Sequence, residues 1–284
     1  MSKADRIFIA MCRDILDNGC SSEGQDVRAT WPDGAPAHTV KRFGVVNRYD
    51  LSDGFPAITL RPVPFGLCVD EMLWIWQRKS NNIRDLGSRI WDSWADESGS
   101  IGKAYGYQLG VEYDFGGGRV MDQVDNVLWQ LKNTPYSRRI MTNIYNFADL
   151  AEMGLEPCAY SMTFNVTAAA SAGKRGRLNA VLNQRSQDVL TANAWNVCQY
   201  AVLLHMFAQV SGLEAGELVH VIADAHIYDR HIPAIKELIS REPGPAPSLV
   251  IDGSVTGFYD FTPESVRLEK YNPGEQIKNI PVAV

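Results

Sequence analysis

The sequence has no excess of basic residues, no paired-cysteine motif and no apolar leader. Twenty-seven Lys and Arg residues stand against 33 Asp and Glu, giving a net charge of −6, so we do not expect a broad basic face for nucleic acid. A local arginine cluster remains compatible with binding a small anion. The five cysteines are odd in number and have no metal-like spacing, and no H-E-x-x-H motif is present. We therefore expect no metal and predict a reducing, cytoplasmic compartment.

One stretch, residues 189–213, carries no Lys, Arg, Asp or Glu and is long enough to span a bilayer. It nevertheless contains several amides and a histidine, and no cation flanks it immediately. We therefore expect a central buried helix and no membrane association.

The chain has 284 residues, of which 45% are hydrophobic and 21% charged, a composition typical of a globular protein. Helices and strands interleave without a regular βαβ rhythm, which predicts one α+β domain over residues 1–284 with a mixed sheet covered by helices. Apolar spacing predicts helices at 4–18, 69–76, 121–131 and 195–210. It predicts strands at 40–60, 140–145, 160–166, 178–184 and 218–223, with a last strand at 249–251. The glycines at 116–118 predict a turn, and 167–177 a solvated loop.

Cys158 follows Pro157 directly before a predicted strand, a position at which a side chain can face a ligand. A catalytic cysteine needs cationic neighbours that lower its pKa, because the thiolate is the nucleophile. Taken alone, this cysteine fits either a nucleophile or an inert core residue.

Several short motifs occur together in a fixed order. They are SRRI at 137–140, LEPC at 155–158, QRSQDV at 184–189, WN at 195–196 and DAHIY at 224–228, with DGFP at 53–56, EMLW at 71–74, IWD at 90–92, YG at 105–106 and PVAV at 281–284. In order and spacing they resemble the thymidylate synthase family, folate-dependent enzymes that methylate dUMP. The resemblance covers the chain from about Arg28 to its end.

The resemblance implies a homodimer with two-fold symmetry, in which the sheets pack against each other at the interface. Arg28 and Arg185 of one subunit, with Arg138 and Arg139 of its partner, would hold the substrate phosphate, for which guanidinium groups are well suited. Cys158 would attack C6 of the uracil ring, and Arg185 would favour its thiolate.

Asn196 and Glu71 each have two interpretations. The resemblance implies that Asn196 reads uracil, since an amide can donate to O4 and accept from N3–H; the alternative is a helix N-cap. Glu71, within an apolar helix, would be a proton relay with a raised pKa, or a buried acid with a structural role.

The resemblance assigns further roles along the chain. His226 and Tyr228 would bind the ribose hydroxyl, Ser186 the phosphate and Asp188 the pterin of 5,10-methylenetetrahydrofolate. Trp91 would form a wall for the folate, and Ala283 and Val284 would close over the complex. The full expected set of catalytic residues is Cys158, Glu71, Asn196, Asp188, Arg185 and Tyr105. The expected dUMP-binding residues are Arg28, Arg138, Arg139, Arg185, Ser186, Gln187, Asp188, Asn196, His226 and Tyr228.

Three departures from the common family pattern concern the folate more than the nucleotide. Ala159 stands where a histidine usually follows the nucleophile, Ala192 lies near a usual glycine, and residues 61–64 replace a more basic stretch. Three alternatives stay open: a dUMP or dCMP hydroxymethylase of the same fold, a non-catalytic dimer that binds nucleotide or messenger RNA, and a papain-like hydrolase. A dCMP enzyme usually carries Asp at the position of Asn196, and a hydrolase would not explain four arginines.

Overall fold

The computed structural model describes residues 2–167 and 176–284. In this part of the chain the strands are β1 (Cys20–Ser21), β2 (Thr39–Asp50), β3 (Tyr113–Asp114), β4 (Val120–Met121), β5 (Met141–Asn143), β6 (Ala159–Thr167), β7 (Arg177–Asp188), β8 (Glu214–Tyr228), β9 (Ser248–Ile251) and β10 (Val266–Glu269). The main sheet has the order β1-β2-β8-β7-β6-β5, and β3–β4 and β9–β10 form separate antiparallel pairs. Within the main sheet β7 and β8 are parallel and the other neighbours antiparallel. The predicted α+β fold with a mixed sheet is confirmed.

The α-helices in the same ranges are α1 (Lys3–Asn18), α2 (Phe65–Trp76), α3 (Gly106–Leu109), α4 (Gln123–Asn133), α5 (Asn193–Ser211) and α6 (Ile232–Leu238). Helix α5 connects the parallel strands β7 and β8, as a parallel pair requires a crossover. It packs against both strands and against α2, while α1 packs on β2. The buried helix predicted in 189–213 is thus confirmed, and no helix of the described residues is long and apolar enough to cross a membrane.

Several strand predictions differ from the structure. The strands predicted at 178–184 and 218–223 are longer, at Arg177–Asp188 and Glu214–Tyr228. The strand predicted at 40–60 ends at Asp50, whose side chain accepts a hydrogen bond from the Ser52 N–H at 3.0 Å and begins a short 3₁₀ turn. Gly54 then takes a φ of 114°, which interrupts extended structure. The strand at 249–251 is not the last one, because β10 pairs with it along its whole length.

The helix predicted from residue 121 begins at Gln123, because the Asp122 side chain caps it by accepting the Asp125 N–H at 2.9 Å. Met121 instead belongs to β4, which pairs with β3 across the three glycines. All three have a positive φ, so the predicted turn is confirmed. Of the loop predicted at 167–177, residues 168–175 lie outside the described residues.

Side chains alternate between two faces along the central strands. Leu182, Leu218 and His220 point toward the helices and are fully buried. The opposite face carries apolar side chains that are only partly buried in the single chain. They are Val46, Met141, Val181, Val219 and Val221.

Candidate active site

The predicted site residues gather where several elements end. Ser186, Gln187 and Asp188 lie at the carboxyl end of β7, next to His226 on the parallel strand β8. Cys158 lies directly before β6, the neighbour of β7 on its other side. The first turns of α5 and the buried side of α2 contribute Asn196 and Glu71. The sheet order therefore brings together residues that are far apart in the sequence.

Cys158 is half-buried and held from two sides. Its N–H donates to the Tyr105 hydroxyl at 3.0 Å, and its carbonyl accepts from the Arg185 N–H at 2.9 Å. The Arg185 guanidinium donates to the carbonyls of Pro157 at 3.0 Å and Glu156 at 2.7 Å. Arg185 therefore fixes the backbone that presents the thiol.

Charge and burial act on the thiol in opposite directions. Burial, the largest influence, raises the pKa of Cys158 above its ordinary value, whereas Arg185, the Tyr105 hydrogen bond and Arg28 each lower it. Arg185 thus acts in the direction expected from the sequence, but in the single chain burial outweighs it.

Tyr105 has an unusual backbone conformation, with φ 44° and ψ −103°. Its ring is almost fully buried and packs edge-on against Trp91, with ring centroids 4.9 Å apart. A strained residue persists only where its surroundings fix it, and such residues cluster at functional sites. The packing with Trp91 holds the hydroxyl beside Cys158.

Glu71 is buried within α2 and accepts hydrogen bonds from three side chains. Trp91 Nε1 donates to Oε1 at 2.7 Å, while Gln199 Nε2 at 3.0 Å and the Trp195 indole N–H donate to Oε2. Burial raises the pKa of Glu71 to about 7, although these three hydrogen bonds oppose the shift. Glu71 is therefore both hydrogen-bonded by its surroundings and able to change protonation state near neutral pH.

Asn196 is half-buried and is hydrogen-bonded to three buried amides. Its Oδ1 accepts from Gln184 Nε2 at 3.2 Å and Gln187 Nε2 at 3.4 Å, and its Nδ2 donates to Gln199 Oε1 at 3.2 Å. The N-cap of α5 is Ala192, so the interpretation of Asn196 as a helix cap was wrong. Gln187 is buried and also accepts from Asn193 Nδ2 at 2.9 Å; its predicted contact with nucleotide stays a prediction.

Asp188 is joined to the carboxyl-terminal segment through His231. Its carboxylate accepts from the Thr191 hydroxyl at 2.6 Å and lies 3.5 Å from His231 Nδ1. The other ring nitrogen of His231 donates to the Pro281 carbonyl at 2.7 Å. Burial would raise the pKa of Asp188, but His231 and Thr191 hold it below its ordinary value. The carboxylate is consequently ionised at neutral pH.

The end of β8 carries His226 and Tyr228, whose rings pack edge-on with centroids 5.0 Å apart. His226 Nδ1 contacts Asp224 Oδ1 at 2.8 Å, and Asp224 also pairs with Lys41 at 2.9 Å. Burial raises the pKa of Tyr228 to about 12, so its hydroxyl stays protonated. Both side chains can offer hydrogen bonds to a hydroxylated ligand.

The four predicted phosphate-binding arginines do not all meet in one chain. Arg28 is exposed, yet it lies close enough to lower the pKa of both Cys158 and Tyr228. Arg138 and Arg139 are exposed, and within residues 2–167 and 176–284 neither guanidinium has a hydrogen bond or ion pair. In the single chain, Arg185 and Arg28 are thus the predicted arginines that lower the pKa of the Cys158 thiol.

Near the carboxyl terminus, Val284 exchanges two backbone hydrogen bonds with Thr30, at 2.8 and 3.0 Å. This pairing and the Pro281–His231 contact hold the segment containing Ala283 near Arg28 and Asp188. Trp91 is mostly buried, and its indole N–H is committed to Glu71. The predicted contacts of Trp91 and Ala283 with folate stay predictions.

Gln199 and Trp195 were not predicted as partners of Glu71, and His231 was not predicted as a partner of Asp188. Gln199 lies three residues after Asn196 on the same helix, a spacing that places two side chains on one face. This spacing is the feature of the sequence that could have indicated a contact between Gln199 and Asn196. Among the described residues, no group of His, Cys, Asp or Glu side chains is arranged to hold a metal ion.

A half-buried thiol under the influence of two arginines, in a chain that also buries a carboxyl group with a pKa of about 7, is typical of enzymes that use a cysteine nucleophile on an anionic substrate. The family model for thymidylate synthase matches residues 6–284. Thymidylate synthase 1 of Bacillus subtilis (strain 168) is 42% identical over 281 residues, which cover 98% of each chain. The thymidylate synthase of Bacillus phage phi3T is 41% identical over the same length and coverage.

A solved structure has the same fold. The thermostable thymidylate synthase A from Bacillus subtilis superposes with a TM-score of 0.91 at 40% identity, covering 99% of each chain. The present chain belongs to the thymidylate synthase family.

Proposed function

We propose that this chain is a thymidylate synthase that converts dUMP to dTMP with 5,10-methylenetetrahydrofolate as co-substrate. The observation that carries the proposal is the position of Cys158 between Tyr105 and Arg185, in a chain matched by the family over almost its whole length. The folate supplies the one-carbon unit and the hydride. The residues of the chain bind dUMP, activate its ring and move protons.

Cys158 is the nucleophile in this proposal. Its thiolate forms a bond to C6 of uracil, and the electron pair of the C5–C6 double bond moves toward C5 and O4, so that C5 becomes nucleophilic. Arg185 and Arg28 favour the thiolate. C5 then bonds the one-carbon unit and loses its proton, which Glu71 helps to remove. When the hydride completes the methyl group, the thiolate leaves C6 with its electron pair and the C5–C6 double bond forms again.

The substrate phosphate is bound by arginines. Arg185 and Arg28 come from the subunit that holds Cys158, and Arg138 and Arg139 reach it from the partner. The exposure of both partner arginines supports this assignment, because an unpaired guanidinium is free to form charge-assisted hydrogen bonds with a dianion. Ser186 adds a hydroxyl to the same phosphate.

Asn196 and Glu71 act on the pyrimidine. Asn196 donates to O4 and accepts from N3–H, the edge pattern of uracil and not of cytosine. Glu71 moves protons for the chemistry at C5 and O4, which its pKa of about 7 supports. His226 and Tyr228 bind the ribose hydroxyl.

The chemistry of Asp188 fits a pterin, because an ionised carboxylate can accept from adjacent ring N–H donors. Trp91 contributes apolar surface, and the segment with Ala283 closes over the bound pair and excludes water. Gln187, behind Asn196, supports the nucleotide site.

The chain works as a homodimer in which the sheets pack against each other. The partly buried apolar face of the central strands supports this arrangement, since an apolar patch of this kind is typical of an interface. Val46, at 54% exposed, is the most accessible of the valines on this face.

The test is absorbance near the dihydrofolate band after mixing the protein, dUMP and methylenetetrahydrofolate, with dCMP in a parallel cuvette. We expect a rise with dUMP alone and a product carrying a methyl group by mass. Cys158→Ser should reduce the rate by at least about a thousandfold, because a serine hydroxyl does not replace a thiolate. Cys20→Ser, which changes an exposed free cysteine, is the matched control and should keep the wild-type rate.

Two results would contradict the proposal. A product with an added oxygen and no folate oxidation would mean that the enzyme is a hydroxymethylase. Near-normal dTMP formation by Cys158→Ser would mean that another group is the nucleophile.

A further inference from the structure

Gln199 connects the amide of Asn196 to the carboxylate of Glu71. It is 4% exposed and lies one turn after Asn196 in α5. Its Nε2 donates to Glu71 Oε2 at 3.0 Å and to the Cys68 carbonyl at 3.3 Å, while its Oε1 accepts from Asn196 Nδ2 at 3.2 Å. Both ends of this buried amide are therefore in use.

These partners determine the orientation of the Gln199 amide. The Cys68 carbonyl is an acceptor only, so the Gln199 NH₂ group must face Cys68 and the adjacent Glu71 Oε2 in either protonation state of Glu71. The oxygen of Gln199 must then face Asn196, which in turn must present its own NH₂ group.

On the opposite side of Asn196, hydrogen-bond partners also determine the orientation of the neighbouring amide, that of Gln184. Burial lowers the pKa of His220 to about 3, so its ring stays neutral, and its Nε2 contacts Gln184 Oε1 at 2.8 Å. Gln184 Nε2 donates to the Ser186 carbonyl, an acceptor only, at 3.1 Å. The Gln184 NH₂ group therefore also faces Asn196 Oδ1, at 3.2 Å, and the Gln184 oxygen accepts from the His220 Nε2–H. Asn196 is thus held between an acceptor and a donor.

We propose that Gln199 is a positioning residue for pyrimidine recognition: its oxygen holds the Asn196 NH₂ group on the Glu71 side, so that Asn196 matches uracil and opposes cytosine. This inference rests on the proposed function and deepens it. The second N–H of Asn196 remains available for O4. If the Asn196 amide turned over, its oxygen and NH₂ group would exchange places and match the donor and acceptor of cytosine. A pocket that leaves a buried polar group unpaired discriminates strongly against the wrong ligand.

Two substitutions separate this role from a structural one. Gln199→Leu removes the acceptor and frees the Asn196 amide. Gln199→Glu keeps an oxygen facing Asn196 and places a carboxyl proton where the amide N–H had faced Glu71. Gln209→Leu is the control, because Gln209 lies on the same helix and its side-chain Nε2 donates to the Asp252 and Val255 carbonyls, away from the site.

The measurement is the ratio of kcat/KM for dUMP to that for dCMP, together with the ratio of the two dissociation constants. We expect Gln199→Leu to lower both ratios at least about tenfold, and Gln199→Glu and Gln209→Leu to keep them within about threefold, since a tenfold change corresponds to the loss of one oriented hydrogen bond.

Unchanged ratios in a folded Gln199→Leu protein would overturn the inference. If that variant does not fold, a tenfold loss of discrimination in Gln199→Glu would overturn it equally, because this variant keeps the acceptor. A wild-type protein that binds dUMP in preference to dCMP but does not form dTMP would overturn the proposed catalysis and leave the recognition role supported.

Discussion

At Cys158, burial and positive charge have opposite effects on the pKa of the thiol. Burial protects the sulfur from solvent but favours the neutral form, whereas Arg185 and Arg28 favour the thiolate. Arg185 has a second role, because its guanidinium also holds the carbonyls of residues 156 and 157. One side chain thus influences both the position and the charge environment of the Cys158 thiol.

Glu71 shows how hydrogen bonds limit the effect of burial. Three donors surround its carboxylate, yet burial still raises its pKa from an ordinary 4.5 to about 7. The folded protein therefore keeps a proton on Glu71 at pH values where the unfolded chain has lost it.

This difference predicts a pH dependence of stability. Because the folded pKa is raised, the stabilising contribution of Glu71 is fully present below about pH 4.5 and is lost as the pH rises through about 7. The free energy of unfolding of the wild type, minus that of Glu71→Gln, should fall by about 3 kcal/mol over this window. Urea titrations at half-unit pH steps measure it. The substituted amide adds only a constant offset, so a difference that does not change with pH would contradict the prediction.

The sequence identified the residue types of the site but not their connections. Cys158, Arg185, Asn196 and Glu71 belong to short motifs that can be read from the chain alone. The contact between Gln199 and Glu71 joins two helices that are over a hundred residues apart, so it depends on helix packing. A local pattern carries no information on such a contact.

At the scale of elements, α5 combines two roles along its length. Its first turns carry Asn196 and Gln199, and its middle is buried on all sides among α2 and the central strands. The rigidity of the recognition amides therefore depends on the packing of the apolar part of the helix.

Truncating that apolar part should destabilise the whole protein. Leu204 is 0% exposed in the middle of α5, and Leu204→Ala should lower the free energy of unfolding by about 2–5 kcal/mol, because it removes buried methyl groups and leaves a cavity. Leu67→Ala, at a leucine 40% exposed on α2, should cost less than about 1 kcal/mol. The free energies of unfolding of the two variants are measured by urea unfolding, with circular dichroism as the signal. Equal losses from the two substitutions would mean that α5 is not central to stability.

The residues at which helices and strands begin and end were predicted less accurately than whether a segment is a helix or a strand. The limits at Asp50 and Asp122 both depend on a carboxylate that accepts a nearby backbone N–H. An aspartate at these positions is compatible with a strand end, a turn or a helix cap. The residue at which a helix or strand ends can be assigned only from the pairing of neighbouring strands. Met121, for example, pairs with Tyr113 and therefore belongs to a strand and not to the helix that follows.

At the scale of the whole molecule, the site of one chain is incomplete for the proposed reaction. Arg28 and Arg185 lower the pKa of the thiol, while the guanidinium groups of Arg138 and Arg139 have no hydrogen bond or ion pair within the described residues. The apolar face of the sheet is also only partly covered in the single chain. Both features have one explanation if two chains pack across this face.

A complementation experiment tests whether the arginines act across that interface. Cys158→Ser and the double variant Arg138→Ala/Arg139→Ala should each be inactive, since under the proposed function one lacks the nucleophile and the other lacks half of the phosphate site. Refolded together, they should regain about one quarter of wild-type activity, because half of the dimers are mixed and each mixed dimer contains one complete site. Each variant refolded alone is the control. If the arginines acted within their own chain, no mixed dimer would contain a complete site, and an inactive mixture of dimers would contradict the shared site.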